Sequence, residues 1–226
     1  PQATGDDLLA KAAGDVEIIP VLDGTMSNRQ FQPLREDPRV KPLRKPIPEG
    51  MRPAINDAAR LATGKYLMKC DGHVIVGPGF DEILKADCDV DWLEVPTRHS
   101  IDTDTWTIRP RDFNYHAITY PFLPSMYGEG FHGVTFPIAN PNQNRDINDR
   151  RRHLPIDDII SAQGSLWFQH RKYFLSFPPL DHGRLYFYQE SQEVMLRILA
   201  AGGRCVVNKK THYGHWHKGK ESSGAD

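Results

Sequence analysis

The sequence contains little cysteine, no long apolar run and no excess of either charge. Its three cysteines (Cys70, Cys88 and Cys205) form no Cys-x-x-Cys pair, which argues against a disulfide framework and against a cysteine-rich zinc site. No apolar run approaches the roughly 18 residues that a membrane span needs, and no signal peptide is visible. We therefore expect a soluble protein of a reducing compartment, the cytoplasm.

The balance of charge limits the partners that the protein can attract as a whole. The formal net charge is −1 and the isoelectric point is near 6.9, so the chain has no global field for nucleic acid or for a membrane surface. Any anionic ligand must then be held by local groups. A length of 226 residues suits a single large domain, and we expect one domain over residues 1–226.

The order of predicted elements is that of an α/β protein with a mostly parallel sheet. A short helix precedes a β-rich stretch at 16–22, and a second helix from about Pro53 to Thr63 leads into an apolar strand at 66–68. Further strands are predicted at 91–97, 163–168 and 205–207, with a helix beginning near Glu190. Residues 105–108 and 133–136 predict strands of a smaller antiparallel element.

The sharpest local pattern is Asp71-Gly72-His73, which follows the predicted strand at 66–68. Open α/β sheets bind their ligands at the carboxyl ends of strands, and residues i and i+2 of an extended chain point to the same side. A carboxylate and an imidazole can therefore share one cation here. The alternative is an Asp-Gly turn with a bystander histidine.

Other candidate residues lie at similar positions but carry less specific signals. Asp23 ends the stretch at 16–22, where it either contacts a nucleotide base or ribose or simply forms a turn. Arg52, at the start of the second helix, either meets a phosphate, with help from the helix N-terminus, or is solvated. The polar segment 142–153, rich in arginine, is either a surface loop or a lid that binds anions.

The last third of the chain supplies acidic and imidazole groups. Glu190 and Glu193 lie three apart near a helix N-terminus, where acids are favoured and where capping alone explains them. His212, His215 and His217 fall within six residues, which suits either a metal site or an ordinary surface.

Taken together, a Gly-x-Tyr strand ending in Asp-x-His, a Glu-led helix closed by Gly202-Gly203 and a terminal histidine resemble a GT-A glycosyltransferase. The chain is most similar to family-2-type transferases, including short versions found in bacteriophages. It also resembles the polypeptide N-acetylgalactosaminyltransferases in its Asp-x-His and terminal histidine motifs. The resemblance covers roughly residues 5–220 and implies a Rossmann-like domain, with a nucleotide-binding half at 1–97, an acceptor-binding half at 98–220 and a tail at 221–226.

The resemblance also implies roles for individual residues. The implied ligands of Mn²⁺ (or Mg²⁺) are Asp71, His73 and His215, and Glu190 is the implied catalytic residue. The implied nucleotide-binding residues are Asp23, Arg52, Asn56 and Lys218, and those on the acceptor side are Gln163, Gly164, Trp167 and Glu193.

This sequence departs from the family pattern in two ways. It lacks the strand that normally precedes the first helix, which indicates that the sequence is part of a longer protein or lacks part of its base-binding wall. In addition, Glu190 is followed by Ser191 where the family carries Asp or Asn, which weakens the assignment of the base.

The activity that the resemblance implies is metal-dependent transfer of a hexose or N-acetylhexosamine from a nucleotide-diphosphate sugar, with UDP as the expected nucleotide, to an acceptor hydroxyl. The acceptor is open between a glycan, a protein and a modified DNA base. Two other classes remain: a nucleotidyltransferase or hydrolase that uses the same cation, and a non-catalytic module that binds carbohydrate or protein.

Overall fold

The computed structural model describes residues 2–24, 36–119, 132–135, 147–180 and 190–216. Its helices are α1 (Gln2–Lys11), α2 (Met51–Leu61), α3 (Phe80–Asp87), α4 (Arg171–Ser176) and α5 (Glu190–Ala200). The first strands are β1 (Val21–Asp23), β2 (Leu43–Lys45), β3 (Tyr66–Cys70), β4 (Val74–Val76), β5 (Trp92–Asp102) and β6 (Thr107–Arg109). They are followed by β7 (His116–Thr119), β8 (His132–Thr135), β9 (Ile156–Asp158), β10 (Leu166–His170) and β11 (Arg204–His215).

A seven-stranded sheet forms the centre, with the order β3-β10-β5-β11-β4, β6 paired to β5 and β9 paired to β11. β10 runs antiparallel to both of its neighbours, β3 and β5, and β11 runs parallel to β5. β3, β5 and β11 therefore share one direction, and their carboxyl ends lie toward one edge of the sheet. The amino end of β10 lies at the same edge, because Leu166 is opposite Cys70.

The α/β class is confirmed, but the strand directions differ from the expected mostly parallel sheet. Among the described strands of the central sheet, only β5 and β11 are parallel neighbours, and the other paired strands run antiparallel. The reason is that β10 enters the sheet between two co-directional strands and runs against both. An apolar run predicts that a strand is buried, but it does not show whether the strand runs parallel or antiparallel to its neighbours. The pairing of β10 could therefore not be predicted from the strand pattern.

Two smaller sheets accompany the central one. β1 and β2 form a parallel pair, and β7 and β8 form an antiparallel pair. The second pair agrees with the predicted antiparallel element at 133–136, although its partner strand is 116–119. Within the described residues β1 pairs only with β2, and β3 is an edge of the central sheet.

Helix α1 is attached to the outer edge of β4 through polar side chains. The Thr4 hydroxyl bonds both the N–H and the C=O of Val74, at 3.0 and 2.9 Å. Asp7 accepts from the N–H of Val76 at 2.7 Å, and Lys11 donates to its C=O at 2.8 Å. These bonds satisfy the edge groups of β4 and fix the strand that leads away from Asp71 and His73.

The hydrophobic core lies around the central sheet. It includes fully buried side chains of β5, β10, β11 and α5, such as Leu93, Leu166, Val206 and Met195. Each such side chain stabilises the fold by roughly 2 kcal/mol through burial. This packing places the end of β3, the start of β10, the end of β11 and the start of α5 against one another. Of the helices in the described residues, none combines the length and apolar character needed to cross a bilayer.

Candidate active site

Asp71, His73 and His215 come together at the carboxyl edge of the central sheet. Asp71 directly follows β3, and its N–H donates to the Ser165 carbonyl at 2.9 Å. His73 lies in the turn between β3 and β4, and the first residue of β4, Val74, is opposite His215 in the antiparallel pair with β11. The turn between β3 and β4 thus carries Asp71 and His73, and the pairing of β4 with β11 brings His215 beside them.

The three side chains direct their ligand atoms at one another. His215 Nε2 lies 3.0 Å from His73 Nε2 and 3.2 Å from Asp71 Oδ2, and His73 Nε2 lies 3.8 Å from Asp71 Oδ2. With metal–ligand bonds of about 2.1 Å, two ligands at a right angle lie about 3.0 Å apart. The group therefore fits a small divalent cation, and it is a cluster of His and Asp side chains that could hold a metal ion.

The chemistry of the donor set supports the same fit. Two neutral imidazole nitrogens that face each other at 3.0 Å repel unless a proton or a cation lies between them. One carboxylate oxygen and two imidazole nitrogens suit Mn²⁺ better than Ca²⁺, whose ligands in proteins are oxygens.

Asp71 is held in its ionised form. Burial alone would raise the pKa of Asp71, but a hydrogen bond from His215 and the charge and hydrogen bond of Lys69 outweigh it and lower the pKa to about 2. Its two oxygens have different partners, since Lys69 Nζ lies 2.5 Å from Oδ1 while the imidazoles face Oδ2. Asp71 thus presents one ionised oxygen to the histidines.

Glu190 begins α5 and packs against Gly164. It is 3% exposed, and a Cβ added at Gly164 would overlap Glu190 Oε1. Burial raises the pKa of Glu190, and the nearby charge of Lys69 opposes that increase. Lys69 Nζ lies 3.8 Å from Glu190 Oε1 and also contacts Asp71, so the predicted catalytic residue and the predicted metal ligand share one lysine neighbour.

Gln163 belongs to a polar cluster beside this group. Its Oε1 accepts from the Arg98 guanidinium, and its Nε2 lies 2.7 Å from His116 Nε2 and donates to the Phe113 carbonyl at 3.2 Å. Close by, the Ser165 and Tyr213 hydroxyls are 2.7 Å apart. The predicted acceptor-side residues Gln163 and Gly164 therefore lie in the same region as Glu190.

Two predicted nucleotide-binding residues serve the fold through their side chains. Asp23 accepts hydrogen bonds from the N–H groups of Glu49 and Gly50, at 2.8 and 2.6 Å, and so fixes the start of α2. Asn56 exchanges two hydrogen bonds with the main chain of Leu180, at 2.9 and 3.1 Å. Their roles toward a nucleotide stay predictions.

Three other predicted residues are placed in packing or pairing contacts. Arg52 is 4% exposed and forms an ion pair with Glu193. The two residues are therefore in contact, although Arg52 was predicted to bind the nucleotide and Glu193 the acceptor. Trp167 is 1% exposed and stacks on Phe174 with ring centroids 5.7 Å apart. Because Trp167 is part of the core, its placement gives no support to contact with a substrate. Lys218 lies outside the described residues.

The arginine-rich segment is partly described, and its Arg151 is engaged by the fold. The guanidinium of Arg151 makes two hydrogen bonds to Asp157, and the hydroxyl of Tyr115 donates to the same carboxylate. Arg152 pairs with Asp149 at 2.9 Å. These contacts favour a structural role for the described part of the segment, while residues 142–146 lie outside the described residues.

Lys69 and Arg98 also belong to this site, although neither was predicted from the sequence. Lys69 is a charged residue in the otherwise apolar strand β3, and this was the available signal because charged residues are rarely buried without a partner. Arg98 gave no such signal, since β5 also contains Glu94, His99 and Asp102. Lys69 also lies two residues before Asp71, so the alternation of a strand directs both side chains to the same face. Arg98 is buried, which lowers its pKa.

Comparison with known proteins decides the family. The model of glycosyl transferase family 2 matches residues 2–174, which is more than half of the sequence. The chain belongs to glycosyl transferase family 2. The match includes Asp71, His73, Gln163 and Gly164 but ends before Glu190 and His215. A search of curated proteins gave no match.

Solved structures agree with a GT-A fold. The chain is similar to GalNAc-T7, whose crystal structure was determined with UDP, GalNAc and Mn²⁺, with a TM-score of 0.78 and 20% identity. The alignment covers 99% of this chain and 41% of that protein, so the chain spans well under half of the length of GalNAc-T7. HddC from Yersinia pseudotuberculosis aligns over 93% of this chain and 76% of its own, with 11% identity and a TM-score of 0.48.

Proposed function

We propose that this chain is the catalytic domain of a glycosyltransferase that moves a sugar from a nucleotide-diphosphate sugar, of the UDP type, to an acceptor hydroxyl. The observation that carries the proposal is the convergence of Asp71, His73 and His215, because residues 71 and 215 are 144 positions apart and meet at the carboxyl edge of the sheet. Membership of family 2 and the similarity to a structure determined with UDP, GalNAc and Mn²⁺ support the same activity.

In this proposal Asp71, His73 and His215 would hold Mn²⁺ or Mg²⁺. A divalent cation at that position supplies Lewis-acid stabilisation of the negative charge on the departing diphosphate. Before the cation binds, Asp71 is already ionised at neutral pH, because His215 and Lys69 lower its pKa to about 2. His73 and His215 each direct Nε2 toward the same point, which is the arrangement that two neutral imidazole ligands require.

Glu190 is proposed to contact the acceptor hydroxyl. Its carboxylate is held between Gly164 and Lys69, and Gln163 lies beside Gly164 on the same segment. If the reaction inverts the configuration at the anomeric carbon, Glu190 acts as general base and takes the proton of the acceptor hydroxyl. If configuration is retained, Glu190 accepts a hydrogen bond and orients the acceptor. Both roles require the ionised carboxylate, and analysis of the anomeric form of the product distinguishes them.

The remaining assignments divide the domain between donor and acceptor. Residues 1–97 are proposed to contact the nucleotide, with Asp23, Arg52, Asn56 and Lys218 as candidates, and residues 98–220 are proposed to contact the acceptor. This is a division of contacts and not of separately folded units, because β5 runs through residues 97 and 98. Glycan, protein hydroxyl and modified DNA base are the candidate acceptors.

Donor turnover tests the proposal most simply. The chain is incubated with UDP-hexoses and UDP-N-acetylhexosamines with Mn²⁺ or with EDTA, and release of UDP is compared between the wild type and Asp71→Asn. With no acceptor present, water takes the sugar in its place, and the proposal predicts slow UDP release from at least one donor, dependent on Mn²⁺ and lost in Asp71→Asn. Release of a sugar phosphate would indicate a nucleotidyltransferase or hydrolase. If no donor is turned over and UDP does not bind with Mn²⁺, the result would favour a non-catalytic binding module.

A further inference from the structure

Lys69 connects the two carboxylates of the candidate site. It lies near the end of β3, its side chain is 10% exposed, and its Nζ lies 2.5 Å from Asp71 Oδ1 and donates to the Gly164 carbonyl. The same nitrogen is 3.8 Å from Glu190 Oε1. One ammonium group therefore faces both the predicted metal ligand and the predicted catalytic residue.

The two carboxylates share this ammonium unequally. Asp71 receives the short contact, whereas 3.8 Å is beyond the range of a hydrogen bond to Glu190. Glu190 Oε1 has no hydrogen-bond partner in the part of the chain that the structure describes, although the side chain is almost completely buried. A closer ammonium group would therefore stabilise this buried carboxylate, whose Oε1 lacks a hydrogen bond.

A divalent cation at the His-Asp group would compete with Lys69 for the charge of Asp71. Two cations that share one carboxylate repel each other, and the repulsion is strong where water is excluded. The flexible lysine side chain has a second buried carboxylate within reach, and a shift of about 1 Å would bring Nζ into hydrogen-bond range of Glu190.

We infer that Lys69 is a positioning residue that moves its ion pair from Asp71 to Glu190 when the cation site is filled. Glu190 is then held by an ion pair only when the cation that accompanies the donor is in place, which couples the two sides of the site. The inference rests on the proposed function for its catalytic meaning. The movement of the ion pair itself is testable without any turnover.

A double-mutant cycle on Mn²⁺ affinity tests the inference. Mn²⁺ binding is measured by calorimetry and by electron paramagnetic resonance on the wild type, Lys69→Met, Glu190→Gln and the double variant. Lys65→Met is the matched control, because Lys65 is an exposed lysine next to the same strand. Far-ultraviolet circular dichroism checks that each variant is folded, and Lys69→Gln replaces Lys69→Met if the latter is not.

The expected pattern is specific to an ion pair that moves. Lys69→Met removes a competing cation and binds Mn²⁺ at least threefold more tightly, whereas Glu190→Gln deprives Lys69 of its second partner and binds at least threefold more weakly. In the Lys69→Met background, the effect of Glu190→Gln shrinks at least threefold, because the lysine that couples the two sites is absent. Lys65→Met matches the wild type.

Two results would overturn the inference. If Lys69→Met lowers Mn²⁺ affinity, the lysine merely supports Asp71 or the local fold. If Glu190→Gln has the same effect in both backgrounds, or none in the wild type, Lys69 does not link the two carboxylates. Failure of the proposed transferase activity is a separate outcome, since it appears in donor turnover and leaves the pattern of Mn²⁺ affinities unchanged.

Discussion

The carboxylate of Glu190 lies directly against the Cα of Gly164, so that a Cβ at position 164 would overlap Glu190 Oε1. The only side chain that leaves room for the Glu190 carboxylate in this position is hydrogen. Gly164 also presents its carbonyl oxygen to Lys69, which connects the same glycine to the Asp71 side of the site. This contact explains why a glycine precedes β10 at the edge of the sheet.

We expect Gly164→Ala to displace Glu190 and to lower turnover at least tenfold, because misplacing a reactive group by about 1 Å can cost roughly 100-fold. Mn²⁺ binding should weaken by no more than it does in Glu190→Gln, since Gly164 contacts Glu190 and Lys69 while Asp71, His73 and His215 stay in place. Steady-state kinetics and Mn²⁺ calorimetry on the same preparations measure both effects. Gly64→Ala is the control, because the nearest atom to a Cβ there is a carbonyl oxygen at 3.3 Å. Unchanged turnover in Gly164→Ala would show that the position of Glu190 is not critical.

The raised pKa of Glu190 predicts the pH dependence of transfer. Burial raises this pKa above the ordinary value of about 4.3, and the proposed role requires the ionised form. The rate should therefore increase with pH through a midpoint above that ordinary value. Glu190→Gln should remove this acidic limb and reduce kcat by a factor on the order of 100 or more. An identical limb in Glu190→Gln would assign the titration to another group.

Because of the buried carboxyl group of Glu94, we expect the free energy of unfolding to fall as pH increases. It is completely buried, accepts a hydrogen bond from Asn208, and has a pKa raised to about 7 by burial and by the charge of Asp87. Between about pH 4.5 and 7 the unfolded chain has lost this proton while the folded chain keeps it, so the free energy of unfolding falls as pH rises. The total effect is about 3 kcal/mol.

Urea unfolding of the wild type and Glu94→Gln at pH 5 and pH 8 measures this effect. The variant should be more stable than the wild type at pH 8, and the difference should become small near pH 5. Glu82→Gln, at an exposed position of α3, is the control. A difference that is equal at the two pH values would mean that Glu94 does not titrate in this range.

The carboxylate of Asp157 should have the opposite effect, so that its contribution to the free energy of unfolding is lost as pH falls. Hydrogen bonds from Arg151 lower its pKa to about 2, and they outweigh the effect of burial. The carboxylate therefore stabilises the fold by about 2 kcal/mol above the unfolded pKa near 3.9, and this contribution is lost as pH falls toward 2. Asp157→Asn should lower stability at pH 7 by about this amount and have progressively less effect below pH 4. Asp158→Asn, its exposed neighbour paired with Arg204, should change stability by less than about 1 kcal/mol.

The sequence predicted most elements because their signals are local. The helix expected from about Pro53 to Thr63 is α2 at 51–61, and the strands expected at 66–68, 91–97 and 205–207 lie within β3, β5 and β11 or differ from them by one residue. Apolar periodicity, glycine after a helix and proline near its start are properties of neighbouring residues, so they can be read without the fold.

The contacts that the sequence did not reveal join distant residues. Arg52 and Glu193, 141 positions apart, form an ion pair, and no local sequence pattern distinguishes a paired arginine from one that binds a phosphate. The direction of β10 and the position of Lys69 between two carboxylates also depend on which strands become neighbours. The proximity of His215 to Asp71 was expected only from resemblance to a family, and not from spacing in this sequence.

The most direct test of the central claim is calorimetric binding of UDP with and without Mn²⁺, on the wild type, His215→Ala and His212→Ala. His212 lies on the same strand, three residues before His215, and its ring neighbours His99 and not the His-Asp group. We expect UDP to bind the wild type and His212→Ala only with Mn²⁺, and His215→Ala to lose this binding. Equal binding of UDP to the wild type and His215→Ala, or binding independent of Mn²⁺, would contradict a shared role of Asp71, His73 and His215 in holding a cation for the nucleotide.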